Sequence, residues 1–81
     1  IKREELQYLV YPVPVKEVLY FSENILKNFY TFSVKDIAGR EIIHSKLMSG
    51  KLNVDALSNG VYIIEFFKSN NESFKAIFIK E

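Results

Sequence analysis

His44 is the only histidine in the chain, and with no cysteine present it is the one side chain that could serve as a base near neutral pH. A hydrolase would need it joined in a cleft by a nucleophile and an orienting acid. Serines stand at 22, 33, 45, 49, 58, 69 and 73, but none occupies a Gly-x-Ser-x-Gly elbow. His44 also alternates with Ile43 in a strand-like segment, which marks it as a solvent-facing or half-buried structural residue. Metal binding has no better footing, because one histidine and scattered carboxylates offer no ligand spacing. Asp36 and Asp55 read as turn residues, and Asn71-Glu72-Ser73, although it matches a glycan acceptor pattern, reads as the last turn. No glycine-rich loop could cradle a phosphate. The residues therefore predict a domain that is not an enzyme and that needs no cofactor.

The elements that would position any such residues must be few. The 81 residues suffice for one small domain, burying roughly 60% of the surface of its unfolded chain. Aromatics make up 15% of the chain, and these seven Phe and five Tyr supply large buried areas from few positions, so a core can form without disulfides. The net charge of +1 comes from basic residues dispersed among acids, which leaves no electrostatic footprint for nucleic acid. No apolar run approaches the ~20 residues that span a bilayer as a helix. The chain opens at Ile1 without an initiator Met or a signal-peptide pattern, so it reads as a piece of a longer protein. Residues 1–6 are expected to be linker or the end of a preceding domain, and residues 7–81 the folded unit.

Turn signals recur at short intervals between segments rich in β-branched and aromatic residues. Seven strands are predicted, at 7–11, 17–22, 28–36, 40–48, 51–55, 60–68 and 73–80. The fold class is all-β, an immunoglobulin-like antiparallel β-sandwich of about seven strands, with Tyr30, Phe32, Val34, Leu57, Tyr62, Ile64 and Phe66 in its core. Pro12 and Pro14 cannot both donate to a ladder, which places YPVP at an edge or at a crossing between sheets. Asp36 three residues before Gly39 predicts a type I turn followed by a left-handed glycine. Ser49-Gly50 and Ser69-Asn70-Asn71 predict two further turns.

Strand 28–36 alternates, with Thr31, Ser33 and Lys35 on its wet face. The last two strands do not. Val61, Ile63, Phe67, Ile77 and Ile79 are left opposite the core-facing set, either under a covering loop or preceding domain, or as an open apolar patch for docking or weak self-association. Tyr62, at the start of the penultimate strand, is placed to return its hydroxyl to the preceding loop as a tyrosine corner. Leu57 would plug the core below it. Gly60 would supply a backbone angle that a Cβ forbids, or room for Tyr62.

Four segments, YPVP at 11–14, VKDIAGREI at 34–42, LNVDALSNGVYIIEF at 52–66 and FKAIFIKE at 74–81, together resemble the type A C-terminal sorting domain of the type IX (Por) secretion system of Bacteroidota. The family commonly has Asn where this chain has Val13, which removes a turn-capping side chain but leaves both prolines. The resemblance selects Tyr11, Pro12, Pro14, Asp36, Gly39, Asp55, Leu57, Gly60, Tyr62, Lys75, Phe78 and Lys80 as the residues behind fold maintenance or recognition. It implies a non-catalytic targeting module. Such a domain folds in the periplasm in transit, meets the outer-membrane translocon, and in many members is removed by a sortase-like peptidase as the parent cargo is anchored at the cell surface or secreted. The alternative is a structural or carbohydrate-binding sandwich on a secreted enzyme or adhesin; the absence of Trp argues against sugar binding, which usually needs an exposed aromatic platform. Position separates the two, since a sorting domain must come last and a spacer need not; Glu81 directly after Lys80 suits a natural end.

Overall fold

The computed structural model describes residues 9–81, so the expected linker at 1–6 and the first two residues of the first predicted strand lie outside the described residues. Seven strands and one short helix follow in order: β1 (Val10–Tyr11), β2 (Val18–Phe21), α1 (Glu23–Asn28), β3 (Thr31–Asp36), β4 (Glu41–Lys46), β5 (Lys51–Asn53), β6 (Gly60–Phe67) and β7 (Ser73–Lys80). They form a three-stranded sheet ordered β1-β2-β5 and a four-stranded sheet ordered β4-β3-β6-β7, with every strand pair antiparallel. The architecture is the expected all-β immunoglobulin-like sandwich. Val15, Leu19, Phe21, Ile25, Phe29, Phe32, Val34, Val54, Tyr62, Ile64, Phe66 and Phe78 close its core.

The helix is not among the predicted elements. The segment Ser-Glu-Asn-Ile-Leu-Lys-Asn offers a favourable N-cap position at Ser22, an acid in the first turn and a base in the last. It completes too few turns to display a helical period. Its Ile25 is fully buried and joins the core. The Phe29 N–H still bonds to the Ile25 carbonyl, so β3 begins at Thr31 rather than at residue 28.

That late start corrects one core assignment. Tyr30 is 61% exposed, and the inward place is taken by Phe29. Tyr30 sits between helix cap and strand, with its N–H bound to Phe67 O and its carbonyl accepting Leu47 N–H, so the alternation of β3 does not extend back to it. Leu57 is only partly buried and packs at the rim of the core rather than plugging it. The wet face of β3 is also drier than expected. Ser33 is 1% exposed, set in register between His44 of β4 and Glu65 of β6. Its Oγ has no hydrogen-bond partner among the described residues.

YPVP is both an edge and a crossing. Tyr11 ends the edge strand β1, the Tyr11–Pro12 and Val13–Pro14 bonds are both cis, and the chain then passes to the other sheet, where Val15 forms a parallel bridge with Lys80.

Candidate recognition pole

The four family-like segments lie far apart in sequence, and residues from each come close at one end of the sandwich, while the start of the last segment lies at the other end. In the four-stranded sheet Asp36 stands opposite Tyr62, Tyr62 opposite Phe78 and Gly60 opposite Lys80. Val15, immediately after Pro14, completes the row against Lys80.

The Asp36 turn is built on its carboxylate. Oδ1 accepts the N–H groups of Ala38 (3.0 Å) and Arg40 (2.9 Å), and Oδ2 accepts Arg40 Nε (3.0 Å) and lies 3.0 Å from Nη2 in an ion pair. The Asp36 carbonyl takes the Gly39 N–H at 2.9 Å, and Gly39 sits at φ +89°, the left-handed position the spacing predicts. The Arg40 backbone N–H holds the Asp36 carboxyl below the usual range; burial opposes it, and the Arg40 guanidinium and Ala38 N–H reinforce it.

Asp55 lies in the turn after β5, but its neighbour Asn53 makes the shaping contact: Asn53 Oδ1 accepts Asp55 N–H at 2.9 Å, and the Leu57 N–H closes on the Val54 carbonyl. Sequence reasoning credited Asp55 and passed over Asn53, although an Asn two residues before a turn residue is itself a turn signal. Gly60 is at φ +154° and has open space where a Cβ would stand, so the glycine answers to a backbone angle and not to a close approach by Tyr62. The Tyr62 hydroxyl donates to Ser58 O at 2.7 Å, forming the tyrosine corner. Its ring stacks on that of the fully buried Phe78, with centroids 5.4 Å apart.

The terminal strand presents only one of its two basic residues to solvent. Lys80 turns inward, is 7% exposed, and donates from Nζ to the Glu81 carbonyl at 3.0 Å. The even-numbered residues of β7 face the core, and Lys80 follows Ala76 and Phe78 in that parity. Lys75 alone is an exposed cation of the pair. Val15, which no pattern marked, ties this strand down: its N–H donates to Ile79 O at 2.8 Å and its carbonyl accepts Glu81 N–H at 2.9 Å. Tyr11, Pro12 and Pro14 remain exposed, Tyr11 stacking on Tyr20 at 5.8 Å.

On the outer face, Val61 pairs with Ile79 and Ile63 with Ile77, forming an apolar band in which Ile77 is 63% exposed. Phe67 does not join it, since the Glu65–Lys75 row lies between and Phe67 is half-buried opposite Ser73. His44 is exposed on β4 with Nδ1 3.3 Å from Glu41 Oε1. A depression between β4 and β5, lined by Phe32, Ser45, Met48, Ser49 and Leu52 among others, holds two serines whose hydroxyls donate to backbone carbonyls, so neither is an activated nucleophile. Among the described residues, no three acidic or histidine side chains gather as a metal site.

Residues 9–80 match the sequence profile of the secretion system C-terminal sorting domain. Over 72 residues the chain is 32% identical to beta-agarase D of Zobellia galactanivorans, an alignment covering 89% of this chain and 14% of that protein. Among solved structures it resembles PorZ, an essential bacterial surface component of the type IX secretion system of Porphyromonas gingivalis, with a TM-score of 0.71 at 15% identity over 96% of this chain and 12% of that one. The chain thus corresponds to a small fraction of the length of each relative.

Proposed function

The chain belongs to the secretion system C-terminal sorting domain family, the signal for type IX secretion, and we propose that it delivers its parent protein by docking on the outer-membrane translocon. The domain is a targeting module whose family membership implies interaction with the secretion machinery, a cargo upstream, and export to the surface or extracellular space. The carrying observation is the meeting of residues from the four motif segments at one pole, where Asp36, Gly60, Tyr62, Phe78 and Lys80 share adjacent register positions with Val15, the residue after YPVP. We further propose that the domain folds in the periplasm in transit and is removed after translocation by a sortase-like peptidase, leaving the cargo anchored or released. In this reading most motif residues, including Asp55, Leu57 and Gly39, act indirectly by maintaining the presented shape. The exposed members are Tyr11, Pro12, Pro14, Gly39 and Asp55, together with Lys75 farther along β7.

The test is a fusion of this domain to a passenger carrying a general export signal, expressed in a type IX-competent bacterium and followed by cell fractionation. Surface delivery is expected with the intact domain and periplasmic retention without residues 74–81, whose loss would leave a long unpaired edge. Equal delivery with and without those residues, or in a strain lacking the translocon, would overturn the reading.

A second reading has one observation in its favour. The exposed Tyr11–Tyr20 stack lies on the outer face of the three-stranded sheet, with Lys51 opposite Tyr20, and could serve as a small aromatic platform for a sugar. Retardation of the isolated domain in polysaccharide-containing gels, abolished by Tyr20→Ala, would favour that alternative.

A further inference from the structure

The N–H and C=O groups on one side of β7 bond to β6, and those on the other side face an edge that is only partly filled. Val15 N–H reaches Ile79 O, so the odd-numbered residues of β7 turn their backbone groups to the free edge. Val15 and its bonds to Ile79 and Glu81 cover the last residues. Upstream, the backbone groups of Ser73, Lys75 and Ile77 have no partner among the described residues. Those same residues point their side chains to the exposed outer face.

The other edges carry protection that this one lacks. β1 has two residues and β5 three, too short to template a strand. β4 is longer, but its pairing with β3 slips between Val34 and Lys35, and it carries Glu41, His44 and Lys46. β7 is eight residues long in unbroken register with β6, and its only outward charge is Lys75. That lysine makes no ion pair among the described residues. Glu65, its register partner, instead accepts Ser73 Oγ at 2.8 Å.

We propose that the open β7 edge between Ser73 and Ile77 takes up an extended strand of the secretion machinery, one carrying a carboxylate opposite Lys75 and an apolar side chain beside Ile77. This rests on the sorting function proposed above and names how the machinery holds the domain. Strand addition supplies affinity through main-chain hydrogen bonds, and the alternating side chains set specificity. Continuity supports it, because Val15 already adds to this edge and a partner strand would extend the same row of bonds. Charge supports it as well, since Lys75 is an unpaired cation on the docking face. A second copy fits poorly: antiparallel pairing of two β7 edges over Ser73–Ile77 sets Lys75 against its counterpart, and a shift toward the C-terminus meets Val15.

The test uses the secreted fusion described above. Lys75→Pro deletes an N–H on the free edge and leaves the β6 ladder paired; Lys75→Glu reverses the charge; Lys46→Glu on β4 is the control. Both Lys75 variants should cut surface delivery about tenfold, the effect of ~1.4 kcal/mol of docking free energy, while Lys46→Glu leaves it unchanged. Thermal melting of the isolated variants checks folding, and if Lys75→Pro proves unfolded, Lys75→Glu decides. In parallel, a photo-crosslinking residue at 75 should form an adduct with a secretion component, and one at 46 should not. Undiminished delivery of folded Lys75 variants, or adducts only with a second copy of the domain, would overturn the edge proposal. Failure of the unmodified fusion to reach the surface would instead overturn the sorting function beneath it.

Discussion

The two poles of the sandwich are held by different physics. At the motif pole, individual bonds and backbone angles set the structure: the Asp36 carboxylate in its turn, Gly39 and Gly60 at positive φ, and the Tyr62 hydroxyl on Ser58. At the opposite pole, where β6 turns into β7, aromatic burial dominates. Phe66 packs against Phe21, Phe29, Phe32 and Phe74 with ring centroids 5.2–6.5 Å apart, and Lys68 Nζ lies 5.3 Å over the Phe29 ring. An aromatic cluster accepts another large apolar residue at modest cost, whereas a hydroxyl bond or a left-handed backbone position accepts very few residue types. The motif pole therefore writes a recognisable pattern into the sequence, and the aromatic pole does not.

The largest expected effect tests the aromatic side of this contrast. Phe66→Ala should cost about 3–5 kcal/mol, enough to leave so small a domain mostly unfolded, while Phe66→Leu should retain a cooperative melt. If Phe66→Leu were as damaging as Phe66→Ala, the cluster would be a specific fit and the contrast would break. Tyr62→Ala should be similarly severe, since Tyr62 is 6% exposed against Phe78. Tyr62→Phe isolates the corner and should cost about 0.5–1.5 kcal/mol by chemical denaturation. A Tyr62→Phe variant indistinguishable from the parent would show that the ring alone matters.

Gly60→Ala comes next, at about 1 kcal/mol or more, because the open space around a new Cβ does not relieve the backbone angle. The smallest effect is in pH. The Asp36 carboxyl titrates lower in the folded state than in the unfolded one, so its contribution is complete above the unfolded value near ~3.9 and disappears as pH falls through the lower folded value. Asp36→Asn should lower stability at neutral pH and flatten the acid limb of the stability curve. An acid limb unchanged by Asp36→Asn would remove the turn from the account.

The same contrast explains what could be read from the sequence. The Asp36–Gly39 turn, the Asn71 turn at φ +69° and the tyrosine corner were legible because each rests on a residue type with few substitutes. The extents of β6 and β7 followed from their long apolar runs between turn signals. Lys80 carries a charge that suggests a surface position, yet its parity with Phe78 turns it inward. Tyr30 was misread because a helix of six residues shifts the alternation without announcing itself. Val15 was invisible: a single bridged residue behind two prolines has no periodicity, and its role comes only from where the other end of the chain arrives.

That bridge also has a mechanical side. Cargo attached upstream would pull on the domain through β1, a strand of two residues, and then through Val15, held by two hydrogen bonds to the last strand. Behind them stand the long ladders of β3, β6 and β7. Tension on the chain therefore meets a compliant lead-in before a stiff body. The lead-in should peel first, lengthening the tether and lowering the force on the sheet while the shape offered by β6 and β7 stays intact.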